Sequence, residues 1–110
     1  MASRLERGDV RLLRMKAPDK ERPVVIITRN SSLDFLGWTT VAPITSTIRG
    51  VRSEARLNVE DGMKGPCVVN AHNLVTVGRD QIGRRVARLT EARMHSVCAA
   101  IAFALGCEGA

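Results

Sequence analysis

Two segments place chemically usable side chains at the ends of buried-looking strands: Arg22-Pro23 running into Val24-Val25-Ile26-Ile27, and Val41-Ala42-Pro43-Ile44-Thr45-Ser46-Thr47. The guanidinium is cationic at any working pH, and the proline, which cannot donate to a sheet, is expected to mark a strand's first residue. Three hydroxyls follow the second apolar run. A fixed cation beside hydroxyls suits a phosphate, either held as a ligand or carrying the charge that grows on it during transfer.

No cysteine and histidine constellation, glycine-rich phosphate loop or dense carboxylate cluster accompanies these residues, so the sequence argues against metal-dependent hydrolysis and implies no cofactor. RNA carries its own nucleophile in the 2′-hydroxyl. Its cleavage needs a base for that proton, a cation for the developing phosphorane and an acid for the leaving 5′-oxygen. DNA lacks the 2′-hydroxyl, which makes RNA the consistent substrate for a metal-free site of this kind. Arg22 is the first candidate for the stabilising cation and Thr45 for the group that binds the scissile phosphate, with Ser46 and Thr47 as lesser phosphate or backbone-capping candidates. Taken alone, Arg22 also reads as a solvated strand-edge cation and Thr45 as a threonine chosen for β propensity.

These groups must be held by a small framework. At 110 residues, with 45% apolar and 25% charged side chains, the chain has the composition of one soluble globular domain spanning residues 1–110. The longest helix-like apolar segment is too short to cross a bilayer and the N-terminus has no signal-peptide core, so a cytoplasmic protein is expected. Cys67, Cys98 and Cys107 lack metal-ligand spacing and read as small apolar residues, with Cys107 near the tail exposed. Seventeen basic against eleven acidic residues give a net charge of +6, pointing to a polyanionic partner. With no tyrosine and only Phe35, Trp38 and Phe103 as aromatics, binding should lean on phosphate contacts and hydrogen bonds rather than base stacking.

Strands are expected at Val10 to Met15, Val24 to Thr28, Trp38 to Ile44, Arg52 to Asn58, Cys67 to Val69, Leu74 to Val77 and Arg84 to Leu89, with one helical turn near Asn30. Apolar residues Met94, Val97, Cys98, Ile101, Ala102 and Leu105 recur at helical spacing between a Thr90 N-cap and a Gly106 stop. The sum is a mainly β chain with α: a strongly bent antiparallel sheet or partly open barrel, plus one C-terminal amphipathic helix of about four turns.

Further candidates lie outside the two segments. Asp19 and Glu21 are the acids of the loop Lys16 to Glu21 before the arginine. In Asn70-Ala71-His72-Asn73-Leu74, His72 can exchange a proton near neutrality and Asn73 can read a base edge. The plainer alternative makes His72 a packed or interface histidine with a satisfied ring nitrogen. Arg79, Arg84, Arg85 and Arg88 suggest a basic patch on the last strand, joined by Arg49 and Arg52. Strand alternation would put Arg84 and Arg88 on one face and Arg85 on the other.

The order of Arg7-Gly8-Asp9-Val10, Arg22-Pro23-Val24-Val25, Pro43-Ile44-Thr45-Ser46, Gly83-Arg84-Arg85-Val86 and a C-terminal helix ending at Leu105-Gly106 resembles the MazF/PemK family of bacterial toxin endoribonucleases over nearly the whole chain. The resemblance implies an SH3-like barrel with added helices, working as a homodimer. It also implies cleavage of single-stranded RNA (messenger, ribosomal or transfer) to a 2′,3′-cyclic phosphate and a 5′-hydroxyl, with inhibition by a cognate antitoxin. Arg22 matches the family's catalytic arginine before proline and Thr45 its catalytic threonine. Two departures stand out. The first loop is compressed and lacks a Gly-Ser-Glu-Gln type stretch, leaving Glu21 as a possible RNA contact and the base unassigned. His72 and Asn73 stand where relatives often have an acidic residue and glutamine. The same barrel also carries toxins that poison DNA gyrase by binding, and an inactive RNA-binding relative is a further reading.

Overall fold

The computed structural model describes residues 4–14 and 20–107. Among these residues seven strands and two α-helices follow one another: β1 (Asp9–Arg14), β2 (Glu21–Ile26), α1 (Asn30–Leu33), β3 (Trp38–Thr45), β4 (Glu54–Leu57), β5 (Cys67–Asn70), β6 (Val75–Gly78), β7 (Ile82–Arg88) and α2 (Glu91–Leu105). Every strand pairing is antiparallel, in the order β4-β5-β3-β2-β1-β7, with β6 also on β3. The outer strands β4 and β7 do not pair with each other, so the sheet bends without closing.

β2 explains why its sequence reads as one continuous apolar run. Successive side chains of a strand point to opposite faces. Val25 joins a core with Val10, Ala42, Val69 and the α2 residues Met94, Val97 and Ala100, whereas Val24 and Ile26 join a second core with Leu13, Leu33, Val41 and Val77. Both faces of the strand are thereby covered. The helix α2 forms where expected: Thr90 Oγ1 accepts the Arg93 N–H at 3.2 Å, and Gly106 ends it in the left-handed region at φ 71°. Its outer end is not core, because Leu105 is 61% exposed.

Some boundaries differ from the sequence pattern. β2 starts at Glu21, so Pro23 is its third residue, opposite Leu12, rather than its opening residue. β4 is confined to Glu54–Leu57, because the residues before it form a turn instead of extending the alternation. Register shifts interrupt the β1–β7 ladder between Val10 and Leu13, and this irregularity overrides simple alternation on β7. Arg85 and Arg88, expected on opposite faces, both reach Asp9 Oδ1, at 3.9 and 3.2 Å. Met15, where the first strand was expected to end, and most of the following loop, Asp19 included, lie outside the described residues.

Candidate active site

β3 changes partners along its length. Trp38 to Val41 pair with β6 on one edge and Val41 to Pro43 with β2 on the other; its last two residues, Ile44 and Thr45, pair with β5. The β2–β3 ladder stops at the Val24–Pro43 pair. Pro23 and Pro43 supply no N–H there, so little favours continuing it. Beyond that point the two strands part, and the register carried two residues further sets position 22 opposite position 45. Arg22 shares a strand face with Val24, and Thr45 with Pro43, so both side chains stand on the same side of the sheet.

Between them opens a cleft of about 450 Å³. Arg22, Thr45 and Thr47 border it, together with Arg49, Ser53 and Glu54 from the turn after β3 and the start of β4. Its opposite wall is Asn70, His72 and Asn73, at the end of β5 and the short helical turn that follows. Asn70 caps that turn by accepting the His72 N–H at 3.0 Å, which fixes the backbone that presents His72 and Asn73. His72 is exposed rather than packed into this chain's core, and its ring makes no hydrogen bond among the described residues. Thr45 is half-buried, and its Oγ1 accepts the Thr47 N–H at 3.1 Å.

The charges are arranged unevenly. Among the described residues, neither Arg22 nor Arg49 forms an ion pair. The Glu54 carboxylate accepts three successive backbone N–H groups, from Arg49, Gly50 and Val51. Away from the cleft, Arg4 meets Asp34, Arg11 and Arg88 meet Asp9, and Arg93 meets Asp61 and Glu60. Those last hydrogen bonds raise the Arg93 pKa further, and the Glu6 carboxylate does the same for Arg88. Two arginines without ion pairs therefore border the cleft beside one backbone-bound carboxylate, whereas these other arginines serve the fold. No group of three or more His, Cys, Asp or Glu side chains gathers to hold a metal among the described residues.

Of the residues singled out by sequence, Arg22, Thr45, Thr47, His72 and Asn73 come together here. Ser46 is exposed in the same segment but does not border the cavity; Glu21, exposed at the start of β2, and Arg84, exposed on β7, also lie outside it. Arg49, assigned by sequence to the β7 patch, belongs to the cleft instead. Glu54 carried no chemical signal, because it read as the wet face of an alternating strand. The left-handed glycine four residues before it, Gly50 at φ 76°, was the one available hint of a turn for a carboxylate to cap.

The sequence matches the PemK-like, MazF-like toxins of type II toxin-antitoxin systems over residues 6–105. A probable endoribonuclease MazF2 of Mycobacterium tuberculosis is 38% identical over 91 residues, covering 82% of this chain and 89% of that protein. Among solved structures, the Mycobacterium tuberculosis toxin MazF-mt6 superposes with a TM-score of 0.81 at 32% identity, covering 89% of this chain and 96% of that one. An endoribonuclease in complex with its cognate antitoxin, from a mycobacterial species, gives a TM-score of 0.80 at 27% identity over 91% of this chain and 93% of that one. On its sequence and its fold, the chain belongs to the PemK/MazF family and is a MazF-type endoribonuclease toxin.

Proposed function

We propose that this chain cleaves single-stranded RNA without a metal ion, by attack of the substrate's own 2′-oxygen on the adjacent phosphorus. The 2′-oxygen loses its proton and its bond to phosphorus forms as the bond to the 5′-oxygen breaks, and that leaving oxygen takes up one proton, giving a 2′,3′-cyclic phosphate and a 5′-hydroxyl with no net proton change. Arg22 donates to the equatorial oxygens as negative charge grows on them, and a fixed cation at that point stabilises the phosphorane more than the ground-state diester. Thr45 donates its hydroxyl proton to the same phosphate. His72 is the cleft's candidate for moving a proton, and Asn73 beside it is the candidate for reading a base edge. Ser46, Glu21 and Arg84, which lie outside the cleft, serve in this reading as outer contacts for the rest of the strand. The observation that carries this reading is the shared cleft of Arg22 and Thr45, with the arginine unpaired among the described residues.

In the same reading the toxin works in the cytoplasm as a homodimer and is silenced by a cognate antitoxin whose acidic segment competes with RNA for the cleft. The solved complex of a similar mycobacterial endoribonuclease with its antitoxin supports that partner.

Purified protein, mixed-sequence single-stranded RNA and EDTA test the proposal. Cleavage is expected to persist, with cyclic phosphate ends, and Arg22→Ala is expected to lower kcat by a factor on the order of 10²–10³, as for loss of an oxyanion donor. Thr45→Ala should also be impaired, and His72→Asn should lose one limb of the pH–rate profile. Full activity in both Arg22→Ala and Thr45→Ala would remove the site assignment. Intact RNA together with inhibited gyrase supercoiling would replace nuclease action with gyrase binding.

A further inference from the structure

On the reading of this cleft as the RNA-cleaving site, we propose that Arg49 is a second phosphate-binding group, and that Glu54 is the positioning residue that holds it at the cleft. Arg49 borders the same cavity as Arg22, and its guanidinium makes no ion pair or hydrogen bond among the described residues. A flexible side chain on a surface turn would make a poor ligand, because ordering it costs entropy at each binding event. Here the turn is fastened. Glu54 Oε1 lies 3.1, 2.9 and 3.4 Å from the backbone nitrogens of Arg49, Gly50 and Val51, and Oε2 lies 3.2 Å from that of Arg49.

Successive N–H groups converging on one point make an anion-binding concavity. In this chain the concavity is filled from within. The carboxylate that would otherwise repel RNA is turned onto the backbone, and the guanidinium carried by that backbone is left free. Two neighbouring features hold the same turn. Gly50 adopts φ 76°, which a side chain would strain, and Arg52 stacks over the Phe103 ring at 4.4 Å, tying the turn to α2. Arg22 and Arg49 come from different elements, β2 and the turn before β4. They therefore suit successive phosphates of one strand, the scissile group at Arg22 and a neighbour at Arg49.

The test measures both binding and cleavage. Binding uses a mixed-sequence single-stranded RNA with 2′-deoxy substitution throughout, which cannot be cut. Arg49→Ala is expected to weaken that binding by about ten- to a hundredfold, the range for one charge-assisted hydrogen-bonded contact, and to raise KM with kcat within about twofold. Glu54→Ala should reproduce the KM effect, and Glu54→Gln, whose amide oxygen still accepts the N–H groups, should restore most of the loss. The double variant Arg49→Ala/Glu54→Ala should be no worse than Arg49→Ala alone, since Glu54 acts through Arg49. Unchanged binding in Arg49→Ala overturns the proposal, as does a double variant whose losses multiply. If Glu54→Ala does not fold, the Arg49→Ala and Glu54→Gln measurements still decide it. Wild-type protein that binds the strand through Arg49 but leaves ordinary RNA uncut would refute the nuclease mechanism alone.

Discussion

Thr45 shows how one hydroxyl can serve structure and chemistry together. Its oxygen accepts the Thr47 N–H, which fixes the start of the turn, and a hydroxyl that accepts retains its own proton to donate. Cys67 is the opposite case, a side chain kept out of chemistry. Burial, and secondarily the Asp61 carboxylate, push its thiol pKa up from 9.0. The sign follows from linkage: a pKa raised by folding means that the native state holds its proton longer than the unfolded chain, so the fold loses stability once pH climbs past the unfolded value. Thermal melts should show wild type losing stability above about pH 9 relative to Cys67→Ala, and not below it, while iodoacetamide modifies exposed Cys107 long before Cys67. At this scale Arg22 and Thr45 were legible because each sits beside a proline-marked strand, where a polar residue is conspicuous. Glu54 and Arg49 were not, since their roles depend on a turn whose backbone N–H groups point at a carboxylate, and side-chain identity alone carries no record of that.

Among the elements, β1 and β7 are joined by an interaction that sequence periodicity misassigned. Asp9 is fully buried and Arg11 is 3% exposed; Asp9 Oδ2 accepts the Glu6 N–H and two Arg11 nitrogens, and Oδ1 accepts Arg88 Nη1. Arg11 is completed by the carbonyls of Arg4 and Gly83. Arg85 and Arg88 of β7, themselves half exposed, therefore reach back to a buried carboxylate, whereas Arg84 stays exposed outside that cluster. Alternation on β7 failed as a guide because the ladder is irregular, and a bulge leaves no mark on the count of residues. Replacing Asp9 by alanine strands a buried guanidinium, and chemical denaturation should report a loss of about 3–5 kcal/mol. Because Asp9 is not among the residues bordering the cleft, kcat/KM per folded molecule should stay near wild type. A fall in kcat/KM with unchanged stability would show that the cluster serves the site instead. The helix α2, by contrast, was readable end to end, since its Thr90 cap and Gly106 stop act through local hydrogen bonds that residue type determines.

Across the whole molecule, the seam between β4 and β7 is covered by side-chain and turn contacts rather than by strand pairing. Arg93 of α2 donates to Asp61 and Glu60 in the β4–β5 connection, and Gly62, at φ 91°, packs so near β7 that a Cβ there would lie 2.9 Å from the Ala87 Cβ. The class of fold was legible from strand number and turn spacing, but this closure was not, because it rests on tertiary contacts between segments distant in the chain. The same arrangement changes the meaning of the net charge. A charge of +6 suggests a broad basic surface, yet Arg4, Arg11, Arg88 and Arg93 are all matched to carboxylates, while Arg22 and Arg49 border the cleft without ion pairs among the described residues. Counterions are released only where the protein newly neutralises a phosphate, so affinity for single-stranded RNA should vary with salt according to the cleft cations and not the total. The two cleft cations contribute about −1.4 to the log–log slope, at ~0.7 per phosphate neutralised on a single strand, and Arg49→Ala should make the slope shallower by about 0.7. A slope near −4, measured by titrating uncleavable RNA at several salt concentrations, would mean that basic residues outside the cleft neutralise most of the phosphates.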